Sequence, residues 1–252
     1  MPPPRIPDAV KRVFTEAFTA RDVAEPLASF DAGASAAEVR AYMEARGLDV
    51  VGIRGDGWIV GYVPKDSLES GVCGQWLHPL DEAILLSDAA PLLRVLQGLN
   101  RAPFLFLTAF GRVAGLVTRA DLQKAPARMW LFGVVTMIEM RFAELIERHC
   151  PADSWKQFLS EARLQKAQEF LSERVRRRRA VQLLDCLQFS DKGQIIARHE
   201  GIRKTTVFAS RSQAEEAVKR LEKLRNNLAH AQDIVSGDWE TIVQLCEFMS
   251  SQ

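Results

Sequence analysis

Short apolar runs separated by glycine turns fill the first half of the chain, and apolar residues at helical spacing fill the second. The first half holds a gapless repeat at an offset of 54 residues. Asp49–Leu68 lies over Pro103–Leu122, so that Gly57 matches Gly111, Gly61 matches Gly115, Val63 matches Val117 and Leu68 matches Leu122. Each copy opens on a helical stretch with one apolar side: Ala36, Val39 and Met43 in copy one, Leu92, Leu93, Leu96 and Leu99 in copy two. A short apolar strand follows, then a turn at Gly57 or Gly111 suited to positive φ, a second strand to Val63 or Val117, and a short helix. Such a unit cannot easily bury its sheet alone, so the copies are expected to pack as a pseudo-symmetric pair.

From Trp130 onward the period is helical, with helices expected at about 129–149, 153–175, 178–189, 210–231 and 238–250. Ala125-Pro-Ala-Arg128 reads as a linker, and Pro151 with Asp153 as a break. Asp191-Lys-Gly-Gln194 reads as a turn, with the stretch to Phe208 irregular or holding one short helix. Ser236-Gly-Asp238 reads as a second break with Asp238 as N-cap. The first helix is apolar all round, at Leu131, Phe132, Val134, Val135, Met137, Ile138, Met140 and Phe142. That predicts burial on more than one side, as at a subunit interface. Glu139, Arg141 and Glu144 argue against a membrane span. The expected class is α+β: an extension over 1–20, a repeat pair over 21–125 with copies near 21–70 and 75–125, and an all-α bundle over 129–252.

Composition narrows the chemistry. At 252 residues, 47% hydrophobic and 26% charged, the chain is that of a folded soluble protein with room for two cores. A net charge of +1 supplies no strong field for nucleic acid, so any anion-binding surface must be local. Cys73, Cys150, Cys186 and Cys246 are far apart and form no C-x-x-C or Cys/His cluster. Neither a metal site nor a disulfide framework is expected, and reduced thiols fit a cytoplasmic protein. The start, Met1-Pro-Pro-Pro-Arg-Ile-Pro7, has no signal-peptide core.

The repeat resembles a tandem CBS-domain pair, a Bateman module, over roughly residues 20 to 125, most specifically at Gly115-Leu-Val-Thr-Arg-Ala-Asp121-Leu. The resemblance implies an adenine-nucleotide site (AMP, ADP or ATP) in which Thr118 and helix-start N–H groups hold phosphate and Asp121 holds the ribose. Phe104 would line the adenine pocket. Copy one departs from the motif, with Pro64 and Ser67 at the matching positions and Asp66 one place off, so a single good site is expected, on copy two. The plainer alternative is that Thr118 and Asp121 cap the helix that follows and the pair is a dimerising scaffold.

Within the helical half, Ala214, Val218, Leu221 and Leu228 form one apolar stripe that runs into Arg225-Asn-Asn-Leu-Ala-His230. An Arg-Asn, three residues and a His late in a helical bundle resembles the R-N-x-x-x-H motif of HEPN domains. The resemblance implies a homodimer that cleaves RNA without a metal or other catalytic cofactor, in the setting of stress, toxin or anti-phage systems. His230 would be general base or acid, Arg225 would stabilise phosphate charge, and Asn226 would orient the imidazole or the phosphate. Helical geometry resists a simple version: Arg225 and His230 fall on nearly opposite sides of a straight helix. Either the helix bends or ends near Asn227, or the two meet only across a dimer. The plain alternative has Arg225 tying helices through a buried carboxylate and His230 favoured by the helix dipole.

Arg174-Val-Arg176-Arg177-Arg178-Arg179 is a second candidate surface, either a solvated helix face or an RNA phosphate-binding patch that Arg203 and Lys204 extend. His78, His149 and His199 lack partners at catalytic or ligand spacing and read as structural or exposed. Together these features outline a nucleotide-regulated endoribonuclease. The alternative is a non-catalytic module that binds nucleotide, dimerises or docks a partner.

Overall fold

The computed structural model describes residues 12–177 and 181–250. It divides into two units, Thr15–Ala127 and a second that joins Arg128–Gln252 to the residues up to Phe14.

In the first unit the repeat becomes two hairpins. Strands β3 (Val50–Gly55) and β4 (Trp58–Pro64) turn at Asp56-Gly57, with φ of 51° and 79°. Strands β7 (Phe104–Ala109) and β8 (Arg112–Thr118) turn at Phe110-Gly111, with φ of 51° and 74°. Two central residues at positive φ make both type I′ turns, whose twist matches that of the flanking strands. The register also shifts at equivalent places, between Ile53 and Arg54 and between Leu107 and Thr108.

A parallel strand lies on one side of each hairpin, β2 (Ser29–Asp31) on β3 and β6 (Leu85–Ser87) on β7. The other edge is exchanged. Strand β1 (Glu25–Pro26), from the start of the unit, pairs with β8 of copy two, and β5 (His78–Pro79) pairs with β4 of copy one. The sheets therefore run β1-β8-β7-β6 and β2-β3-β4-β5. This exchange explains the glycine pair found in the repeat. Gly61 faces Pro79 and Gly115 faces Pro26, and a Cβ at Gly61 would lie 2.4 Å from the His78 carbonyl oxygen.

Helix α1 (Ala36–Arg46) buries Ala36, Val39 and Met43 against Val51, Ile53, Val63 and Leu68. Helix α2 (Leu92–Leu99) buries Leu92, Val95, Leu96 and Leu99. A further cluster combines both copies: Leu27, Val50 and Phe106, flanked by Tyr62, Phe104, Ile59 and Leu116. Phe18–Arg21 runs along the turn before α2, with Leu92 N–H on the Phe18 carbonyl (3.0 Å) and Arg21 on Asp88 (3.0 Å).

The helical unit departs from the expected elements in several places. Helix α3 (Ala125–His149) starts at the expected linker, since Pro126 sits in a first turn that needs no N–H from it. Pro151–Phe158 is a tight turn of helix rather than part of a long one, because Ala152 and Asp153 adopt φ of 53° and 59°. Helix α4 spans Glu161–Arg176. No helix covers the expected 178–189 among the described residues; Leu183–Cys186 forms only a short turn.

Helix α5 (Phe189–Arg198) replaces the turn expected at Asp191–Gln194. Asp191 accepts the Gln188 N–H (3.0 Å) at its start and pairs with Arg163. Gly193 is a contact glycine there: a Cβ would lie 2.3 Å from Val218 of helix α7 (Arg211–Ala229). After the single turn α6 (Glu200–Arg203) and α7 comes α8 (Val235–Ser250). Asp233, not Asp238, caps α8, accepting from the N–H groups of Val235 (2.8 Å) and Ser236 (3.2 Å). Trp130, Leu131, Val134, Val135, Ile138, Phe142 and Ile146 of α3 are buried, while Met129, Phe132 and Met140 stay exposed. Among the described residues no helix is long and apolar enough to cross a membrane.

Candidate functional site

Arg225 to His230 close helix α7. Ser210 caps its start, accepting the Gln213 N–H at 3.1 Å, and Ala214, Val218, Leu221, Leu224 and Leu228 bury one side. The helix runs unbroken to Ala229, with His230 as C-cap. The break therefore falls at His230 and not at Asn227. Ala231 takes φ of 53°, and the Gln232 N–H closes on the Asn227 carbonyl at 3.0 Å, a Schellman-type stop made without glycine.

Two features hold this end in place. The Arg128 guanidinium donates to the carbonyls of Gln232 (2.8 Å), Asn227 (2.8 Å) and Leu228 (3.1 Å), placing a cation at the negative end of α7. The Asn227 amide donates to Asp238 Oδ2 at 2.7 Å, while Lys223 stands 3.5 Å from Asp238 Oδ1. Asp238 is 2% exposed, so this carboxylate is buried and fully engaged. Asp238 is thus taken by Asn227 and Lys223, and among the described residues no carboxylate pairs with Arg225.

Arg225, Asn226 and His230 behave differently from their neighbours. Arg225 is half-buried, and Asn226 and His230 are exposed. Among the described residues, none of the three side chains takes a hydrogen bond or ion pair, and nothing joins Arg225 to His230. A separation of five residues sets the two about 140° apart around the helix. A planar cation, an amide and an imidazole are therefore available to an outside group at one helix end.

Thr118, Asp121 and Phe104 lie in the first unit. The Thr118 backbone N–H and hydroxyl both donate to Asp121 Oδ2, at 2.7 and 2.9 Å. Lys124 holds the other oxygen at 2.9 Å, pairs with Glu25 and donates to the Val23 carbonyl at 2.6 Å. Burial alone would lower the Lys124 pKa, but its hydrogen bonds and charge contacts with Glu25 and Asp121 outweigh that and raise it. Asp121 is 8% exposed. The same capping arrangement recurs at Thr19, whose N–H and hydroxyl reach Asp22 Oδ2 at 2.6 and 2.9 Å. Threonine three residues before aspartate is thus a helix-start device in this unit wherever else it serves. Phe104 packs edge-on to Tyr62 (5.6 Å) and against Phe106 (5.3 Å), and Tyr62 stacks on His78 (5.4 Å).

The arginine run is partly committed. Arg177 pairs with Glu173 at 2.5 Å, Arg176 reaches the Ser172 carbonyl at 3.4 Å, and Arg174 donates to the Asp185 carbonyl at 3.0 Å. Arg178 and Arg179 lie outside the described residues. Arg203 donates to the Ala197 carbonyl (2.8 Å) and Lys204 pairs with Glu200 (2.7 Å). His199 caps α6, accepting the Ile202 N–H at 3.1 Å, and His149 bonds the Leu145 carbonyl at 2.9 Å. Among the described residues no group of three His, Cys, Asp or Glu side chains is placed to hold a metal ion.

The sequence assigns Arg128, Asn227 and Lys124 none of these roles, and Asp238 reads there as an N-cap and not as the acceptor of the Asn227 amide. Lys124 follows Asp121 at i+3, the one local signal of their pairing.

No protein-family model matches the chain, and no curated protein matches it. Solved structures do. The CBS-pair protein CBSX2 of Arabidopsis thaliana, in complex with AMP, is 18% identical with a TM-score of 0.39, covering 44% of this chain and 98% of that one. The CBS domain of a bacterial CNNM/CorC family Mg2+ transporter, in complex with ATP, is 17% identical with a TM-score of 0.37, covering 46% of this chain and 90% of that one. A CBS domain-containing protein of unknown function from Bacillus anthracis is 14% identical with a TM-score of 0.39, covering 44% and 94%.

Proposed function

We propose that the chain is a metal-independent endoribonuclease whose cleaving groups are Arg225, Asn226 and His230, regulated by an adenine nucleotide on the repeat pair. The observation that carries the reading is the contrast within one helix end. Arg128, Asn227 and Asp238 lock the backbone, while among the described residues the three neighbouring polar side chains take no partner. Uncommitted groups on a rigid support are what a reacting phosphate needs.

In this reading His230 takes the proton of a ribose 2′-hydroxyl as that oxygen attacks the adjacent phosphorus. The 5′-oxygen leaves with a proton from the His230 of a second subunit, and the strand ends in a 2′,3′-cyclic phosphate. Arg225 stabilises the charge on the phosphate oxygens. The 140° separation on one helix is the reason to involve two subunits. Thr118 and Asp121 supply the nucleotide site, and Asp121 must exchange its Thr118 and Lys124 bonds for the ribose hydroxyls.

The test is structured RNA in EDTA, with AMP, ADP and ATP titrated separately. The expected result is cleavage that depends on His230 and changes with one nucleotide; RNA left intact at every nucleotide concentration contradicts the enzymatic half. Calorimetry with AMP, ADP and ATP tests the regulatory half, and unaltered binding by Asp121→Ala contradicts the assigned site.

A second reading, a non-catalytic docking module built on a scaffold pair, draws support from the full internal satisfaction of Asp121.

A further inference from the structure

The helical unit holds a cavity of about 580 Å³ away from the Arg225–His230 end. Its walls come from α3, α7, α8 and the segment Thr205–Phe208. Phe142, Leu145, Phe208, Leu221 and Leu245 give it an apolar body, and the volume falls in the range of small-molecule sites. It engages α7 between Gln213 and Leu221, so about 15 Å of helix separates Arg220 from His230.

Two observations point to a ligand. Thr241 lines the cavity and is 6% exposed, yet among the described residues its hydroxyl has no hydrogen-bond partner. A threonine inside a helix ordinarily turns its hydroxyl to the carbonyl four residues back. Among the described residues no buried side-chain nitrogen or oxygen lacks a partner, so this hydroxyl is reached from the cavity and is open to an acceptor or donor of a ligand there. Two arginines also stand in the walls, Arg141 on α3 and Arg220 on α7. Arg141 is held by Glu144, which is buried. Arg220 meets Glu216 at 3.1 Å and Glu240 at 3.4 Å, both well exposed. Exposed pairs of that kind contribute little, so the Arg220 guanidinium can turn to an anion in the cavity at small cost.

We infer that this cavity binds a small organic anion, an apolar body carrying one acidic group, with Arg220 on the acid and Thr241 on a polar atom of the body. The site stands independently of the ribonuclease reading, since none of its residues belongs to the Arg225–His230 motif.

The test uses two fluorescent probes with the same apolar body, anilinonaphthalenesulfonate and the uncharged phenylnaphthylamine, on the full chain. The sulfonate is expected to bind one per chain and about tenfold more tightly than the uncharged probe. Arg220→Gln should erase that difference and leave the uncharged probe unaffected. Thr241→Val should weaken both about fivefold. Ala217→Trp, which fills the cavity, should abolish both, with thermal unfolding followed to confirm that it folds. If it does not fold, the Arg220→Gln difference decides. Equal affinity for the two probes, or sulfonate binding unchanged in Arg220→Gln, overturns the inference. So does an unliganded dimer that Ala217→Trp splits, since a second copy then fills the cavity.

Discussion

The two candidate sites of this chain answer the same problem in opposite ways. At Thr118–Asp121 every polar group is satisfied from within: one carboxylate oxygen takes two bonds from Thr118, and the other takes the Lys124 ammonium. At Arg225–His230 the satisfied groups are the supporting ones, Asn227, Asp238 and the helix-end carbonyls, while the Arg225, Asn226 and His230 side chains take no partner among the described residues. A closed site must break native bonds to take a ligand and so couples binding to stability. An open site does not. Function and stability should therefore separate at His230 and move together at Asp121.

The largest effect expected from this difference is on cleavage. His230→Ala should slow RNA cleavage by about 100-fold or more. It should leave the free energy of unfolding in urea nearly unmoved, within about 0.5 kcal/mol, because the side chain is exposed and has no bonded partner among the described residues. Arg225→Lys should retain the charge and still lose about tenfold or more, since an ammonium cannot replace the planar fork. Next in size is the support. Asp238→Ala removes a buried carboxylate and strands the Asn227 amide, and should cost about 1–3 kcal/mol by urea unfolding. Asp121→Ala should weaken AMP binding in calorimetry and also cost about 1–2 kcal/mol through the lost helix-start bonds. An Asp121 variant that loses AMP without losing stability would show that this carboxylate does not couple binding to folding.

The smallest effects concern the backbone and pH. Ala231→Gly relieves a non-glycine residue at φ of 53° and should raise stability by less than about 1 kcal/mol. Lys124 has a raised pKa in the folded chain. Its contribution to stability is therefore fully present below the unfolded lysine value and lost as pH rises through the folded one. An alkaline stability titration should show that loss, and Lys124→Met should flatten it.

Much of the repeat pair was legible because its determinants are local. Asp56-Gly57 and Phe110-Gly111 sit at the same offset as the strands they join, and the turn type follows from two positive φ angles in a row. The exchanged strands were not legible, since two-residue strands such as Glu25–Pro26 carry no alternation. A signal existed in Pro26-Leu27 and Pro79-Leu80, a doublet repeated 53 residues apart. In the helical unit, Gly193 reads as a turn residue until Val218, distant in sequence, is seen to require it. The motif at 225–230 could be read from its residue types, but its support could not. Arg128 lies about 100 residues from the carbonyls it binds, and Asp238 looked like an N-cap because α8 begins at the preceding turn, at Val235. Helical phase sets Arg225 and His230 on different sides of a straight helix, and α7 runs unbroken to Ala229.

Whether the helix end at Arg225–His230 cuts RNA is decided by a single-turnover cleavage rate. Wild type and His230→Ala are compared on one fluorescent structured RNA in EDTA, at matched thermal stability and with the nucleotide that gives the highest rate. The expected products carry 2′,3′-cyclic phosphate ends, and the rate is at least about 100-fold lower in the variant. Equal rates in the two proteins, or no cleavage by wild type, would contradict cleavage at this site.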